Sequence, residues 1–377
     1  MCRQSVVGAT GTLWRSLVVN RMRAGIVGVG FMGTVHARAI RRAGGVVVRA
    51  VGSTPESSRN AAERLRPEVF TETVEELLSA DDIDVVHICA PNATHARLAR
   101  AAIAAGKHVV CEKPLAVNPY EAEELVQLAV DAGVTATVPF VYRFYPTVRE
   151  ARARVADGTA GPVRLLHGSY LQDWLAEDSD DNWRVDPAAG GPSRAFADIG
   201  VHWCDLVEFV SGHRIVRVAA QTMIAVPARG GRRVETEDAA VVLFETDGGA
   251  VGNVTVSQVT PGRKNRLWFS VDGAKESLTF DQENPETLWI GGREINRQLL
   301  RGTSESLVAA RYTAVPAGHP QGYQDCFDAF VADAYAAVDG VEPDGLPTFA
   351  DGLRAAQVTA AVLEAAQKQT WVEVASC

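Results

Sequence analysis

The chain has 377 residues, 47% of them hydrophobic and 22% charged. That is enough apolar material for a real core and, at roughly 100–200 residues per domain, for two domains. Its 37 basic against 46 acidic residues leave a formal charge of −9, which argues against nucleic acid as a partner, because phosphate contacts need a basic surface. No run approaches the ~18 continuous apolar residues of a membrane helix. The six cysteines, at 2, 89, 111, 204, 326 and 377, form no Cys-x-x-Cys pair and no zinc-like spacing, so no metal is expected and a reducing cytoplasm fits.

Residues 1–21 carry Arg3, Arg15 and Arg21 without the apolar core of a signal peptide. They read as an N-terminal extension, with Met22 standing just before the first strand. Residues 22–143 then alternate strand and helix. Strands are predicted at Ala24–Val29, Val46–Val51, Asp84–Ala90, His108–Cys111 and Val134–Val138, and helices lie between them. Thr54-Pro55 and Asn118-Pro119 supply a cap and a first-position proline, and Gly106 and Gly133 stop the preceding helices. Val85-Val86-His87-Ile88 has no polar face toward solvent, as a parallel strand covered on both sides requires. The order predicts an α/β, doubly wound parallel sheet.

The texture changes between Phe140 and Pro146. Residues 144–377 are predicted as an α+β domain for substrate binding and oligomerisation. Helices are expected at Pro146–Ala156, Phe196–Val210, Tyr323–Val338 and Phe349–Gln369, with a strand at Val163–Ser169 and a polar loop at Leu171–Arg194. Successive strands from Ile215 to Ile295, turning at Asp247-Gly248-Gly249, Asp272-Gly273 and Gly291-Gly292, predict a large, mostly antiparallel open sheet. The acidic run Glu177–Asp181 reads as a solvated loop.

Gly28-Val29-Gly30-Phe31-Met32-Gly33 matches G-x-G-x-x-G between a strand and a helix. In that context the first glycine allows the tight turn, the second admits a pyrophosphate and the third lets helix and strand pack; the anion sits at the helix N-terminus. An acid at the end of the second strand would bind the ribose 2′-hydroxyl of NAD, but Ser53 and Thr54 stand there, with Arg59 about one helical turn on. These three could hold a 2′-phosphate, so NADP(H) is favoured over NAD(H). Cys111-Glu112-Lys113-Pro114 falls at a strand's carboxyl end, beside the expected cofactor crevice. Asp198 and His202 are four apart on one helix face. By spacing alone a helix ion pair or a buried histidine is the plainer reading; the alternative is a pair that moves a hydroxyl proton.

The glycine turn, Ala90-Pro91-Asn92-Ala93-Thr94-His95, Glu112-Lys113-Pro114, Tyr142-Arg143-Phe144, and Gly190-Gly191 leading to Asp198-x-Gly200-x-His202 together resemble the Gfo/Idh/MocA oxidoreductases. The resemblance spans about 22–370. It implies hydride transfer between a nicotinamide and a sugar, polyol or inositol-like carbinol, with Lys113, Asp198 and His202 as the catalytic set. Either Lys113 or His202 would carry the proton. Pro91, Asn92, His95 and Glu112 would border the cofactor and Arg143 would lie near the nicotinamide. Trp183, Arg184, His319 and Tyr323 are substrate-pocket candidates, although Trp183 and Tyr323 also suit packing. Arg194 stands where a small or apolar residue is expected, so it either faces the pocket or turns to solvent. The open sheet implies a homodimer or homotetramer. Two other readings are a redox-neutral NAD-dependent glycosidase and a cofactor-binding sensor or co-repressor without turnover. Ser53 in place of an acid argues against the first, and retention of all three catalytic candidates against the second.

Overall fold

The computed structural model describes residues 21–303 and 305–375. The predicted extension lies outside the described residues except for Arg21, as do Cys2 and Cys377. The first half runs β1 (Arg23–Val27), α1 (Phe31–Arg42), β2 (Val46–Val51), α2 (Pro55–Leu65), α3 (Val74–Leu78), β3 (Val85–Ile88), α4 (His95–Ala104), β4 (His108–Cys111), α5 (Pro119–Ala132) and β5 (Ala136–Thr137). All pairings are parallel, in the order β2-β1-β3-β4-β5. The caps act as their chemistry requires. Thr54 accepts from the Ser57 amide to start α2, Asn118 accepts from the Glu121 amide at 3.0 Å to start α5, and Gly133 ends α5 at φ 63°. The predicted strands are longer than the observed ones at β1, β3 and β5. Their runs continue into mostly half-buried connections outside the ladders, where Gly28 and Cys89 still donate single backbone bonds to Val51 and Val27.

The second half begins with α6 (Pro146–Ala156) and β6 (Val163–Leu171). The predicted polar loop then folds into a 3₁₀ turn at Trp183–Val185 and the short α7 (Pro187–Gly190). A π-helical turn, Phe196–Gly200, leads into α8 (Val201–Ser211). Next come β7 (Ile215–Met223), the small hairpin β8 (Ala228–Arg229) and β9 (Arg232–Arg233), β10 (Ala239–Thr246), β11 (Val251–Ser257), β12 (Arg266–Gly273), β13 (Glu276–Asp281), β14 (Thr287–Gly292) and β15 (Asn296–Leu300). The chain closes with α9 (Leu307–Ala310), α10 (Tyr323–Val338), α11 (Phe349–Lys368) and β16 (Val372–Glu373). Nine strands form one sheet, β15-β14-β13-β12-β6-β11-β10-β7-β16. Only β6 and β11 pair in parallel within it. Its buried face rests on α6, α8 and α11.

Alternation explains the sidedness of this sheet. In β10, Val242 and Phe244 are buried while Val241 and Leu243 are about half exposed. Close packing sets the layer spacing at Gly168 on β6: a Cβ there would lie 2.1 Å from the Trp268 carbonyl oxygen and 2.7 Å from the Trp203 indole nitrogen. Trp203 donates to that same carbonyl at 2.9 Å. The two halves are not sequential blocks in space. Phe349, Leu353, Ala355 and Ala356 of α11 complete the core around Val109, Leu115, Leu125 and Val138 of the first half, and Thr348 bridges to Thr137 at the edge of the first sheet.

Candidate active site

The carboxyl ends of β1, β3 and β4 open on one cleft of about 680 Å³, closed on its far side by β6, the 172–184 segment, the π-turn and α10. At one end lies the glycine turn. Gly28 has φ 96°, and a Cβ on it would meet the Cys89 carbonyl at 2.4 Å. A Cβ on Gly33 would meet the Gly28 oxygen at 2.4 Å, whereas one on Gly30 would meet nothing within 4 Å. Two glycines are therefore required by protein packing, and the third leaves backbone bare toward the cleft. No side chain caps α1, so its first-turn amides and positive helix end face the space that a pyrophosphate needs. Gly30, Phe31, Met32, Asn92, His95 and Glu112 line this end. The residues present thus fit a dinucleotide.

At the other end, Lys113 and Asp198 meet. Lys113 Nζ donates to Asp198 Oδ1 at 2.7 Å and to the Asp198 backbone carbonyl at 2.8 Å. The buried Gln258 side chain donates to Asp198 Oδ2 at 2.8 Å, and the Arg184 guanidinium lies 3.6 Å from Oδ1. Burial alone would raise the Asp198 pKa, but the Lys113 and Arg184 charges outweigh it and hold the carboxyl below its usual range. His202 is reached from the π-turn, a local irregularity of the kind often found at functional sites. Its ring packs edge-on against Tyr142 and Phe140, and Nδ1 is buried with no hydrogen-bond partner among the described residues. Burial, reinforced by the Lys113 charge, pushes the His202 pKa well below that of a free imidazole, so its ring is neutral.

The substrate wall contains residues that sequence reasoning missed. Tyr170 donates to Asn265 Oδ1 at 2.8 Å, and Asn265 Nδ2 donates to Tyr142 Oη at 3.2 Å. The Tyr142 hydroxyl, 2.5 Å from Tyr170 Oη, then donates to it and closes a triangle. Burial raises both phenols, Tyr142 to about 12, so both stay protonated and act as hydrogen-bond donors. Gln172 donates to Asn265 at 2.7 Å, and Trp174 donates to Gln172 at 2.7 Å. The signal was present as Tyr170-x-Gln172-x-Trp174, a period of two that puts three side chains on one face of extended chain. Lys264 and Asn182 also line the cleft. Asn265, Lys264 and Gln258 carry no comparable local pattern.

Trp183, Arg184 and Tyr323 line the cleft, with the Arg184 guanidinium 4.4 Å above the Trp183 ring. Four expectations need correction. Arg143 turns away from the cleft and is buried between Asp205 and Asp351, because desolvating a guanidinium demands paired carboxylates. Arg194 neither faces the pocket nor reaches solvent; it is wholly buried against Asp238, with its amide donating to Glu237 at 3.0 Å. His319 is exposed outside the cleft and is held by its backbone, whose carbonyl accepts from Arg301 at 2.6 Å and whose amide donates to the Pro316 carbonyl at 3.2 Å. Arg59 points to Glu72 at 3.7 Å, and it is Arg64 of α2 that donates to the Val29 carbonyl in the glycine turn. Ser53 and Thr54 are exposed at the end of β2, where Thr54 caps α2, and Pro91 is exposed at the mouth of β3.

Comparison with known proteins agrees with this geometry. Residues 22–140 match the oxidoreductase family with an NAD-binding Rossmann fold, and residues 148–279 match the GFO/IDH/MocA C-terminal domain. An oxidoreductase domain protein from Kribbella flavida superposes with a TM-score of 0.88 at 36% identity, covering 94% of this chain and 100% of that one. A levoglucosan dehydrogenase solved with NADH and levoglucosan superposes with a TM-score of 0.89 at 28% identity, covering 95% and 100%. The levoglucosan dehydrogenase of Pseudarthrobacter phenanthrenivorans is 29% identical over 94% of this chain and 99% of its own length. With both domain models matched in order around one cleft, the chain belongs to the Gfo/Idh/MocA family and is an oxidoreductase with an NAD-binding Rossmann fold.

Proposed function

We propose that the protein moves hydride between a nicotinamide cofactor and a sugar or polyol carbinol, with His202 handling the hydroxyl proton and Lys113 and Asp198 setting its environment. The observation that carries this reading is the placement of Lys113, Asp198 and His202 in the same cleft as the bare glycine turn. A bound nicotinamide supplies the hydride acceptor or donor. An ammonium has three donors, and Lys113 spends two on Asp198. The third is left for the substrate oxygen, where it stabilises developing negative charge. The neutral His202 ring takes the proton as the carbon–oxygen double bond forms. Asp198 fixes Lys113 and is itself fixed by Gln258. Trp174, Trp183 and the tyrosine wall give an apolar platform for a sugar's C–H face, and the amides of Gln172, Asn182 and Asn265 suit its hydroxyls.

The absence of an acid at Ser53, with Arg64 reaching the glycine turn, favours NADP(H) over NAD(H). Titrating cofactor-stripped protein with NADPH and NADH by nicotinamide fluorescence, then screening sugars and polyols for turnover, tests both parts. Tighter NADPH binding supports the Ser53 and Arg64 reading; tighter NADH binding overturns it; binding without turnover on any carbinol overturns the dehydrogenase reading. The half-exposed Val241, Leu243, Val251 and Met223 form an apolar patch on the open sheet face. A homodimer or homotetramer would cover it, and light scattering showing a 40.3 kDa species alone would refute that. Among the described residues no helix is long and apolar enough to cross a membrane. Cys89, Cys111, Cys204 and Cys326 are free thiols, which supports a cytoplasmic location.

A further inference from the structure

Behind the cleft a line of four buried polar side chains leads from Glu112 into the protein. Glu112 Oε1 lies 3.0 Å from His36 Nε2, His36 Nδ1 lies 2.8 Å from His87 Nδ1, and His87 Nε2 lies 2.9 Å from Tyr335 Oη. The line crosses α1, the central strand β3 and α10, so it joins both halves of the fold. Both histidines are fully buried and Tyr335 nearly so. The second oxygen of Glu112 accepts the Lys113 amide at 3.2 Å, and Glu112 itself lines the cofactor side of the cleft beside Cys89. The catalytic reading above uses none of the inner three groups.

Proton counting fixes the direction of this line. Burial keeps the His87 pKa well below that of a free imidazole, and burial keeps the Tyr335 phenol protonated. A neutral imidazole has one donor and one acceptor. If His87 donated from Nε2 to Tyr335, the phenol proton would be left buried with no acceptor, a cost comparable to a lost hydrogen bond. The satisfied arrangement runs the other way. Tyr335 donates to His87 Nε2, His87 Nδ1–H donates to His36 Nδ1, and His36 Nε2–H donates to Glu112. Every donor then has an acceptor, and the last acceptor is strongest as a carboxylate.

We propose that Tyr335, His87 and His36 form a one-way hydrogen-bond line that holds Glu112 as an anion in the cleft next to Lys113, so that the oxidised, cationic cofactor is favoured over the reduced form. The proposal rests on the nicotinamide reading of the cleft. These three are positioning residues acting through Glu112. The role requires no proton to travel along the line. It requires only that the innermost donor be present and that each imidazole hold its tautomer.

The test is the ratio of dissociation constants for the oxidised and reduced cofactor, measured by calorimetry and nicotinamide fluorescence on the unaltered protein, Tyr335→Phe, His87→Val and Glu112→Gln. Glu112→Gln is expected to weaken the oxidised form relative to the reduced one by about fivefold or more, the low end of typical coupling factors in ligand binding. Tyr335→Phe, which removes one oxygen and keeps the ring, should move the ratio in the same direction by a smaller factor. His87→Val should fall between them if it folds, as checked by its melting temperature. A merely structural role would weaken both forms equally. An unchanged ratio in either Glu112→Gln or Tyr335→Phe overturns the proposal while leaving the cofactor site standing. Failure of the unaltered protein to bind either form overturns the nicotinamide reading and this proposal together.

Discussion

The two ends of the cleft are built by different means. The cofactor end is made of backbone at the carboxyl ends of adjacent parallel strands, with glycines wherever a Cβ would collide. The substrate end is made of side chains from β6, the π-turn, the strand ends near 258 and 265, and α10, joined by hydrogen bonds across long stretches of chain. Backbone requirements are local, so they write themselves into a short motif. Side-chain walls are assembled by tertiary structure, so residues such as Asn265 and Gln258 can change without disturbing any local pattern. The cofactor end should therefore tolerate few substitutions and share its form widely, whereas the substrate end is where members of one fold can diverge.

The comparison sharpens most at its junction, where Lys113 from the first half meets Asp198 from the second. Lys113→Ala should lower kcat by about 10²–10⁴-fold, the usual range for loss of a positioned acid–base group, while cofactor affinity changes far less; full turnover would remove Lys113 from the chemistry. Next is a buried support of the substrate end. Arg194→Met leaves the buried Asp238 with Arg229 as its remaining cationic partner and should cost about 1–3 kcal/mol of stability, read as a lower denaturation midpoint, with substrate preference unchanged. A shift of preference without destabilisation would show that Arg194 does reach the pocket.

Smaller is the effect of acid. His87 and His202 are both neutral in the fold because burial depresses their pKa. Once unfolded they regain an ordinary value near 6.5. The unfolded chain then binds more protons below that value, so stability present above it is lost as pH falls, at up to about 1.4 kcal/mol per unit for each group. Chemical denaturation between pH 7 and 5 checks this. The catalytic counterpart is that oxidation through His202 stays level as pH drops past the ordinary imidazole range and declines only below it; a loss centred above that range would move the proton to Lys113. The smallest expected effect lies farthest from the chemistry. Ser53→Asp should shift cofactor preference toward NAD(H) by about tenfold, since a carboxylate binds a 2′-hydroxyl and repels a 2′-phosphate. Unchanged preference would show that β2 does not read the ribose.

Most of the fold was legible because apolar runs, caps and glycine stops agree along the first half, and because α6 carries a first-position proline and α10 a clear apolar spacing. What failed was the fate of arginines. Arg143, Arg194 and Arg59 were read by their closeness in sequence to the site, yet each is claimed by a carboxylate elsewhere. Asp205 and Asp351 take the first, Asp238 the second and Glu72 the third. No sequence pattern announces which carboxylate meets which guanidinium, since the partners lie between 13 and about two hundred residues apart. The acid–histidine spacing was visible, but the π-turn that presents His202 to the cleft was not. A π-turn is one residue wider than an α-helical turn and leaves no mark on an apolar pattern so short.

The closure of the first sheet's core by α11 has a consequence for how the protein is made. The five parallel strands are complete by Thr137, but the core around Leu115 and Val138 is completed by Phe349, Leu353 and their neighbours, roughly two hundred residues later in synthesis. A nascent chain emerges with its dinucleotide-binding sheet formed yet still exposed on one flank, open to chaperones or to wrong partners until α11 has been made. For the same reason the cofactor-binding half, expressed alone as residues 22–143, should aggregate, and adding residues 344–375 in trans should restore its solubility.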